Sequence, residues 1–264
     1  MTPLFHSTLT LIAAAAFATL AHTAPAPLDA AGSAQLEAFQ QHPETAGAVI
    51  YRGSVVPLGA TTPLYRYERR VTTTPEGLAA AHITRELGGH VLIAEQARFT
   101  PDYALRRFDA SNQQLGYSGS VLVSADGRHL EYRLSRNGKL STASEAVSDP
   151  VVSGPSLHGF IVQHWDALAA GQRVPVRMIV LTEKQTYGFV IRRSAHDAQH
   201  TAFTLTPSSA LVRMLVAPLT VSFDTTSRNV IRYEGRVPPL QPVAGKLQPL
   251  DARVDYTMAV AAYR

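Results

Sequence analysis

Apolar and polar residues alternate with a period of two along most of the chain from residue 47 onward. The alternation is regular in segments 117–124, 129–134, 219–224 and 253–260, where every second side chain is apolar. A period of two predicts β-strands that bury one face and leave the other polar. Further strands are predicted at 48–56, 64–73, 80–86, 90–97, 103–109, 173–181, 186–193, 200–206 and 229–235.

Short turn sequences separate these segments. Gly88-Gly89, Asp126-Gly127 and Asn137-Gly138 lie between apolar runs and predict tight hairpins, since these residue pairs tolerate positive φ. The prolines at 238–249 predict an irregular crossing before the last strand. We therefore expect a mainly β fold with roughly ten antiparallel strands, each with one apolar and one polar face.

Residues 154–168, GPSLHGFIVQHWDAL, are the stretch that most clearly predicts a helix, which we place at 155–169. Wound at about 100° per residue, its apolar side chains cover an arc of about 200°, wider than the ~100° stripe of a surface helix. Such a helix must be covered on most sides by other parts of the chain. We expect one strongly curved antiparallel sheet, an open or half barrel, wrapped around this mid-chain helix.

Two histidines lie inside the apolar arc of this helix, His158 and His164. They are six residues apart, about 120° around a helix, and so cannot share one metal ion. One reading makes them core histidines bonded to strand carbonyls. The other makes them the few polar groups of an apolar-ligand pocket lined by Trp165 and Phe160.

Pairs of adjacent arginines lie on predicted strands. Because successive strand residues face opposite ways, one arginine of each pair points inward or lies at a rim of the sheet. Arg69 follows Tyr65 and Tyr67 on their apolar face. It either pairs with a carboxylate at a strand end or lines a cleft that holds an anionic head group. The candidate ligand-binding residues are thus Trp165, His164, His158, Phe160 and Arg69.

The N-terminus has the features of an export signal. Residues 9–21, LTLIAAAAFATLA, form an apolar run far short of the ~20 residues that span a bilayer, and the run ends in small residues. We expect a signal peptide at 1–21, a Pro- and Ala-rich linker at 22–46 and a single β domain at 47–264. The alternative is a disordered Ala-rich tail.

The composition of the chain excludes several classes of function. The chain has 264 residues, is 45% hydrophobic and carries a net charge of +4, but its 24 basic residues are spread evenly. Nucleic-acid binding needs a clustered basic surface, so we expect no nucleic-acid partner. The chain has no cysteine, which excludes disulfides and thiol catalysis and agrees with a periplasmic site.

The sequence HDAQH at 196–200 differs from the zinc-protease pattern H-E-x-x-H in having Asp for Glu. That pattern requires His196 and His200 to share one helical face, whereas both flanking segments predict strands. We therefore expect no metal site, no cofactor and no catalytic residues. A metal-dependent hydrolase that uses these two histidines is the alternative.

The segment 223–235, FDTTSRNVIRYEG, has a strand that ends in Phe-Asp, a Thr/Ser-Arg turn and a strand that ends in Arg-Tyr-Glu-Gly. Residues 152–168 and the hairpin at 173–193 fit the same pattern. Over about residues 48–240 the chain resembles a family of uncharacterised exported bacterial proteins, grouped as a domain of unknown function. The resemblance implies a curved antiparallel sheet similar to that of periplasmic lipoprotein carriers.

These features together predict a non-catalytic periplasmic protein that binds or carries an apolar or lipid-like ligand, or that scaffolds envelope assembly, with peripheral association with the envelope. Besides the hydrolase, an integral outer-membrane β-barrel is an alternative. The mid-chain helix and strands mostly shorter than the ~9–11 residues needed to span argue against it. The sequence does not define the oligomeric state.

Overall fold

In a computed structural model, the structure describes residues 38–39, 41–43, 46–75 and 77–259. The predicted signal peptide at 1–21 and most of the predicted linker at 22–46 lie outside the described residues. Among those described, no helix has the length and apolar character needed to cross a bilayer.

The chain forms one sheet of fifteen strands. In chain order the strands are β1 (Ala48–Pro57), β2 (Tyr65–Thr74), β3 (Gly77–Glu86), β4 (Val91–Phe99), β5 (Leu105–Asn112), β6 (Tyr117–Val123), β7 (His129–Arg136), β8 (Lys139–Ala146), β9 (Val151–Val152), β10 (Val174–Val180), β11 (Gln185–His196), β12 (His200–Pro207), β13 (Leu219–Asp224), β14 (Val230–Val243) and β15 (Lys246–Met258).

The strand order is β8-β7-β6-β5-β4-β3-β2-β1-β15-β14-β13-β12-β11-β10-β9. Neighbours are antiparallel hairpins, β1 also pairs antiparallel with β15, and the short β9 joins β10 in parallel. The predicted mainly β fold is confirmed as one large, curled sheet that does not close, with fifteen strands where about ten were predicted. The two edges, β8 and β9, are consecutive in the chain.

The predicted irregular crossing at 238–249 is wrong, because this Pro-rich segment continues a hairpin. β14 and β15 pair up to Val243 and Lys246, around a turn with Ala244 and Gly245 at positive φ. The register shifts between Val237 and Leu240, which takes the two prolines at 238–239 out of the ladder. A bulge is one of the few places where a sheet tolerates proline.

The predicted helix 155–169 is two helices, α1 (Gly154–Gln163) and α2 (Trp165–Ala169), separated at His164. The imidazole Nδ1 of His164 lies 2.9 Å from the carbonyl oxygen of Phe160, which also accepts the His164 backbone N–H at 3.1 Å. This shared acceptor accompanies the break. A 3₁₀ helix (Leu181–Glu183) and a short helix α3 (Ala210–Leu215) complete the helical elements described.

Helices α1 and α2 pack against the core face of the sheet. Leu157, Ile161 and Leu168 are buried in one apolar cluster with side chains of β1 and β9 to β14. Strands β3 to β7 contribute a second cluster, which also includes Val151 of β9, Ile179 of β10 and Leu181 of the 3₁₀ helix from the other end of the sheet. The core therefore lies between the helices and the two arms of the curled sheet.

Part of the N-terminal segment covers the opposite face of the sheet. Phe39 and Ala46 are buried against Ala81 of β3 and Ala94 of β4. Strands β3 and β4 therefore bury apolar side chains on both faces.

Candidate functional site

Four polar side chains lie side by side across the core face of β1 to β4. The strand registers pair Tyr51 with Arg69, Arg69 with His82, and His82 with Glu95. Tyr67 and Tyr256 approach the same region, and His158 of α1 faces it from the helix. We call these residues the inner polar cluster: Tyr51, Tyr67, Arg69, His82, Glu95, His158 and Tyr256.

Arg69 is the central charge of the inner polar cluster. It is only 5% exposed, and its Nη1 donates both to Nε2 of His82 at 2.8 Å and to the carbonyl oxygen of Pro155 at 2.8 Å. Among the described residues it forms no ion pair with a carboxylate. Burial lowers the pKa of Arg69 from its ordinary value, since desolvation disfavours the charged form. It is a buried cation whose protein partners are neutral.

His82 and Glu95 extend the row away from Arg69. A Cβ placed on Gly154 would lie 3.5 Å from Oε2 of Glu95 and 3.8 Å from Nδ1 of His82, so both side chains meet the start of α1. Burial raises the pKa of Glu95 to about 7. Burial, with the charge of Arg69, holds the pKa of His82 well below its usual range. His82 is therefore neutral at pH 7, and its Nε2 can accept a hydrogen bond from Arg69.

His158 has an orphaned polar atom. Its Nε2 is buried and has no hydrogen-bond partner among the described residues. The ring stacks on Phe223 with centroids 5.7 Å apart and meets Tyr51 edge-on at 6.1 Å. Burial, followed by the charge of Arg69, lowers the pKa of His158 to about 3. Buried polar atoms without partners are rare in native proteins and each needs an explanation.

Tyrosines surround the charged members of the cluster. The Tyr67 ring meets those of His82 and Tyr256 edge-on, with centroids 5.0 and 5.4 Å apart. Burial raises the pKa of Tyr67 and of Tyr256 above the ordinary value, so both hydroxyls are protonated at pH 7. Tyr67, His82, Glu95 and Tyr256 all keep partial accessible surface. Together these residues form a polar patch on the core face that the rest of the described chain does not fully cover.

A separate cavity of about 290 Å³ opens at the rim of the sheet, beside the C-terminal end of α1. Apolar side chains share its wall with Tyr103, His164 and further polar or charged side chains, which are Asp102, Asp126, Arg128, Ser148, Asp149 and Gln163. We call it the rim cavity. Six of the residues that line the rim cavity are Tyr103, Leu105, Val123, Val151, Phe160 and His164.

Tyr103 connects the rim cavity with the inner polar cluster. It lines the cavity, and its hydroxyl lies close enough to Arg69 to act on the pKa of that guanidinium. One edge of the ring lies against α1 at Gly159, where an added Cβ would stand 2.2 Å from Cε1 of Tyr103. Only glycine leaves room for this ring. Tyr103 has φ of 59°, an uncommon conformation for a non-glycine residue.

Trp165 belongs to neither the rim cavity lining nor the inner polar cluster. It is 5% exposed and meets Phe203 and Phe223 edge-on, with centroids 5.2 and 5.5 Å apart. The guanidinium of Arg228 lies 5.2 Å from the centre of its ring. The five predicted ligand residues thus separate into three groups: Arg69 and His158 in the inner polar cluster, Phe160 and His164 at the rim cavity, and Trp165 in packed core.

The histidines of HDAQH lie at a hairpin turn, as the flanking strand patterns indicated. His196 ends β11, His200 begins β12, and the Asp197 N–H donates to the His200 carbonyl. Nδ1 of His196 lies 2.7 Å from Oγ1 of Thr201. In the part of the chain that the structure describes, no group of three or more His, Asp or Glu side chains could hold a metal ion.

Sequence reasoning missed His82, Glu95, Tyr51, Tyr67 and Tyr256 as site residues. Two of them lie symmetrically about a turn, since His82 and Glu95 are each six residues from the nearer glycine of Gly88-Gly89. The ladder places them opposite each other only through a register shift between Thr84 and Arg85, which the sequence does not indicate.

No protein-family model matches the chain, and a search of curated proteins finds no significant relative.

Proposed function

We propose that this protein is a non-catalytic, exported envelope protein of the periplasm that binds or carries an apolar or lipid-like ligand within a half-barrel wrapped around α1. The rim cavity is the observation that carries this proposal. Its wall includes the apolar side chains of Leu105, Val123, Val151 and Phe160. It also includes polar and charged side chains, which are Asp102, Asp126, Arg128, Ser148, Asp149, Gln163 and His164. Apolar walls combined with placed polar groups are typical of ligand sites.

The open sheet supports the same proposal. The chain passes directly from one edge strand of the sheet, β8, to the other, β9. Residues 148–151, at the end of this passage, form part of the cavity wall. A ligand can therefore approach the cavity past a loop, without the breaking of a strand ladder. Binding at a preformed, partly apolar cavity needs no catalytic group.

Binding of decanol, a neutral amphiphile, to the purified protein tests the proposal by titration calorimetry. Val123→Phe directs a ring into the rim cavity and should weaken binding by about tenfold or more, because about 1.4 kcal/mol of lost contact suffices. Leu211→Phe, on the exposed face of α3, is the matched control and should bind like wild type. Absence of decanol binding, or equal binding by Val123→Phe, would overturn the proposal.

Export is a separate part of the proposal, supported by the apolar run at 9–21. We expect the exported protein to begin at or near His22. N-terminal sequencing of the protein from the periplasmic fraction checks this. An intact Met1 in a cytoplasmic fraction would contradict both cleavage and location.

A further inference from the structure

We infer that the inner polar cluster binds the oxyanion of the ligand's head group, a carboxylate or a phosphate, through Arg69 and His158. The inference rests on the proposed function and names the chemistry that its ligand carries. The two donors lie inside the sheet, whereas the apolar part of the ligand occupies the rim cavity.

Arg69 presents an unused donor pair to the interior. Both of its hydrogen bonds to described residues use Nη1, which leaves Nε and Nη2 without a partner among them. Neither atom is among the fully covered, unpaired atoms, so both keep some accessible surface. The Nε–Nη2 edge of a guanidinium matches the two oxygens of a carboxylate or phosphate.

His158 supplies a second donor close by. Its Nε2 is buried and unpaired, and the charge of Arg69 acts on the pKa of its ring. In the Nε2–H tautomer the neutral imidazole donates one hydrogen bond to an anion. Because Nε2 is fully covered in this structure, the imidazole must turn toward Arg69 to reach an oxyanion. That bond would satisfy the orphaned atom, and the anion would provide the counter-charge that the buried guanidinium otherwise lacks.

The other groups that face Arg69 and His158 are uncharged at pH 7 except for Glu95, which is partly ionised. Tyr51, Tyr67 and Tyr256 are protonated phenols at pH 7, and His82 is neutral. Glu95 is the one carboxyl among the members of the inner polar cluster, and burial brings its pKa to about 7. An anion beside it favours its neutral form further. The N-terminus of α1, at Gly154, adds the positive end of the helix dipole.

The two sites are arranged along one helix. Arg69 bonds to Pro155, and the rim cavity begins at Phe160, about 7.5 Å further along α1 at the usual helical rise. Tyr103 stands between them against Gly159. A ligand with its head at Arg69 and its chain toward His164 must displace or pass the Tyr103 ring.

Four probes separate head group from chain: decanoic acid, decyl phosphate, decanol and inorganic phosphate, each titrated at pH 6.5. We expect decanoic acid or decyl phosphate to bind about 10- to 100-fold more tightly than decanol, the range for a hydrogen bond to a charged group. Arg69→Met should abolish this difference. Arg66→Met, on the exposed opposite face of β2, is the matched control and should preserve it.

The outcomes distinguish the two proposals. Equal binding of decanol and both acids by wild type overturns the head-group site and leaves the proposed function standing. Arg69-dependent binding of inorganic phosphate with no binding of any chain-bearing probe supports an oxyanion site and overturns the lipid-like ligand. If Arg69→Met fails to fold, His158→Phe replaces it, and retention of the full acid preference in that folded variant overturns the inference.

Discussion

Glu145 on β8 and Arg177 on β10 join the two arms of the open sheet through an ion pair of 3.0 Å. The same carboxylate accepts the backbone N–H of Thr186 at 2.8 Å, its hydroxyl at 2.7 Å and the hydroxyl of Tyr132 at 2.9 Å. One partly buried side chain thus links β7 and β8 with β10 and β11, which no backbone ladder connects. Three of its four hydrogen bonds, those with Arg177 and Thr186, cross between the arms and hold the curl of the sheet in place.

Glu145→Gln should lower the free energy of unfolding by about 1–3 kcal/mol, because the neutral amide cannot accept all four bonds and leaves Arg177 without its charge partner. Urea unfolding followed by circular dichroism measures the change. Glu131→Gln, at an exposed position of β7, is the matched control and should change the free energy of unfolding by less than about 0.5 kcal/mol. Equal stability of the two variants would mean that Glu145 does not hold the arms together.

Glu95 should make stability depend on pH. Its pKa rises from 4.5 to about 7 on burial. Its contribution to the free energy of unfolding is therefore fully present below pH 4.5 and is lost as the pH rises through 7. Glu95→Gln keeps the shape but removes the ionisation. We expect the variant to exceed wild type by up to about 3 kcal/mol at pH 8 and to match it near pH 4.

Urea unfolding of Glu95→Gln and wild type across this pH range measures the difference directly. Glu131→Gln, at an exposed position of β7, serves as the control for a general charge effect. A stability difference that is the same at pH 4 and pH 8 would show that Glu95 ionises normally.

His158→Phe should stabilise the ligand-free protein by about 1–2 kcal/mol, because it removes a buried, unpaired Nε2 and keeps the ring stacked on Phe223. The same change should weaken binding of decanoic acid. His164→Phe is the matched substitution on the same helical segment, and it should not stabilise, since Nδ1 of His164 bonds to the Phe160 carbonyl. Loss of stability in His158→Phe would contradict an unsatisfied nitrogen.

Trp165→Ala should cost about 3–5 kcal/mol, the range for loss of a fully packed large side chain. The indole lies among Phe203 and Phe223 and does not line the rim cavity. Trp165→Phe should therefore cost less and leave decanol binding unchanged. Thermal unfolding and calorimetry measure both effects, and a change of tenfold or more in decanol affinity in folded Trp165→Phe would place the ligand beside the indole.

Strands with strict alternation were predictable because one of their faces meets the core and the other meets solvent, as in β7. The edge strand β8, KLSTASEA, was missed because its side chains are mostly small or polar and only partly covered. The Pro-rich arms of β14 and β15 were missed because a bulge removes Pro238 and Pro239 from the ladder. Neither the small and polar residues of β8 nor the bulge at Pro238 and Pro239 produces a period of two in the sequence.

Arg69 was predictable as an inward charge because it shares a face with Tyr65 and Tyr67. His82 and Glu95 were not, because β3 and β4 are buried on both faces and their apolar residues mask any alternation. The second cover comes from Phe39 and its neighbours, a tertiary contact that no local pattern encodes. Recognition of the inner polar cluster required strand register in addition to strand position.

The most direct test of an anionic, lipid-like ligand at Arg69 is mass spectrometry of small molecules that co-purify with the protein from its native envelope. Wild type and Arg66→Met should carry an acidic amphiphile in near-stoichiometric amount, and Arg69→Met should carry little or none. An acidic amphiphile present in equal amount on wild type and on folded Arg69→Met, or absent from wild type, would contradict the account.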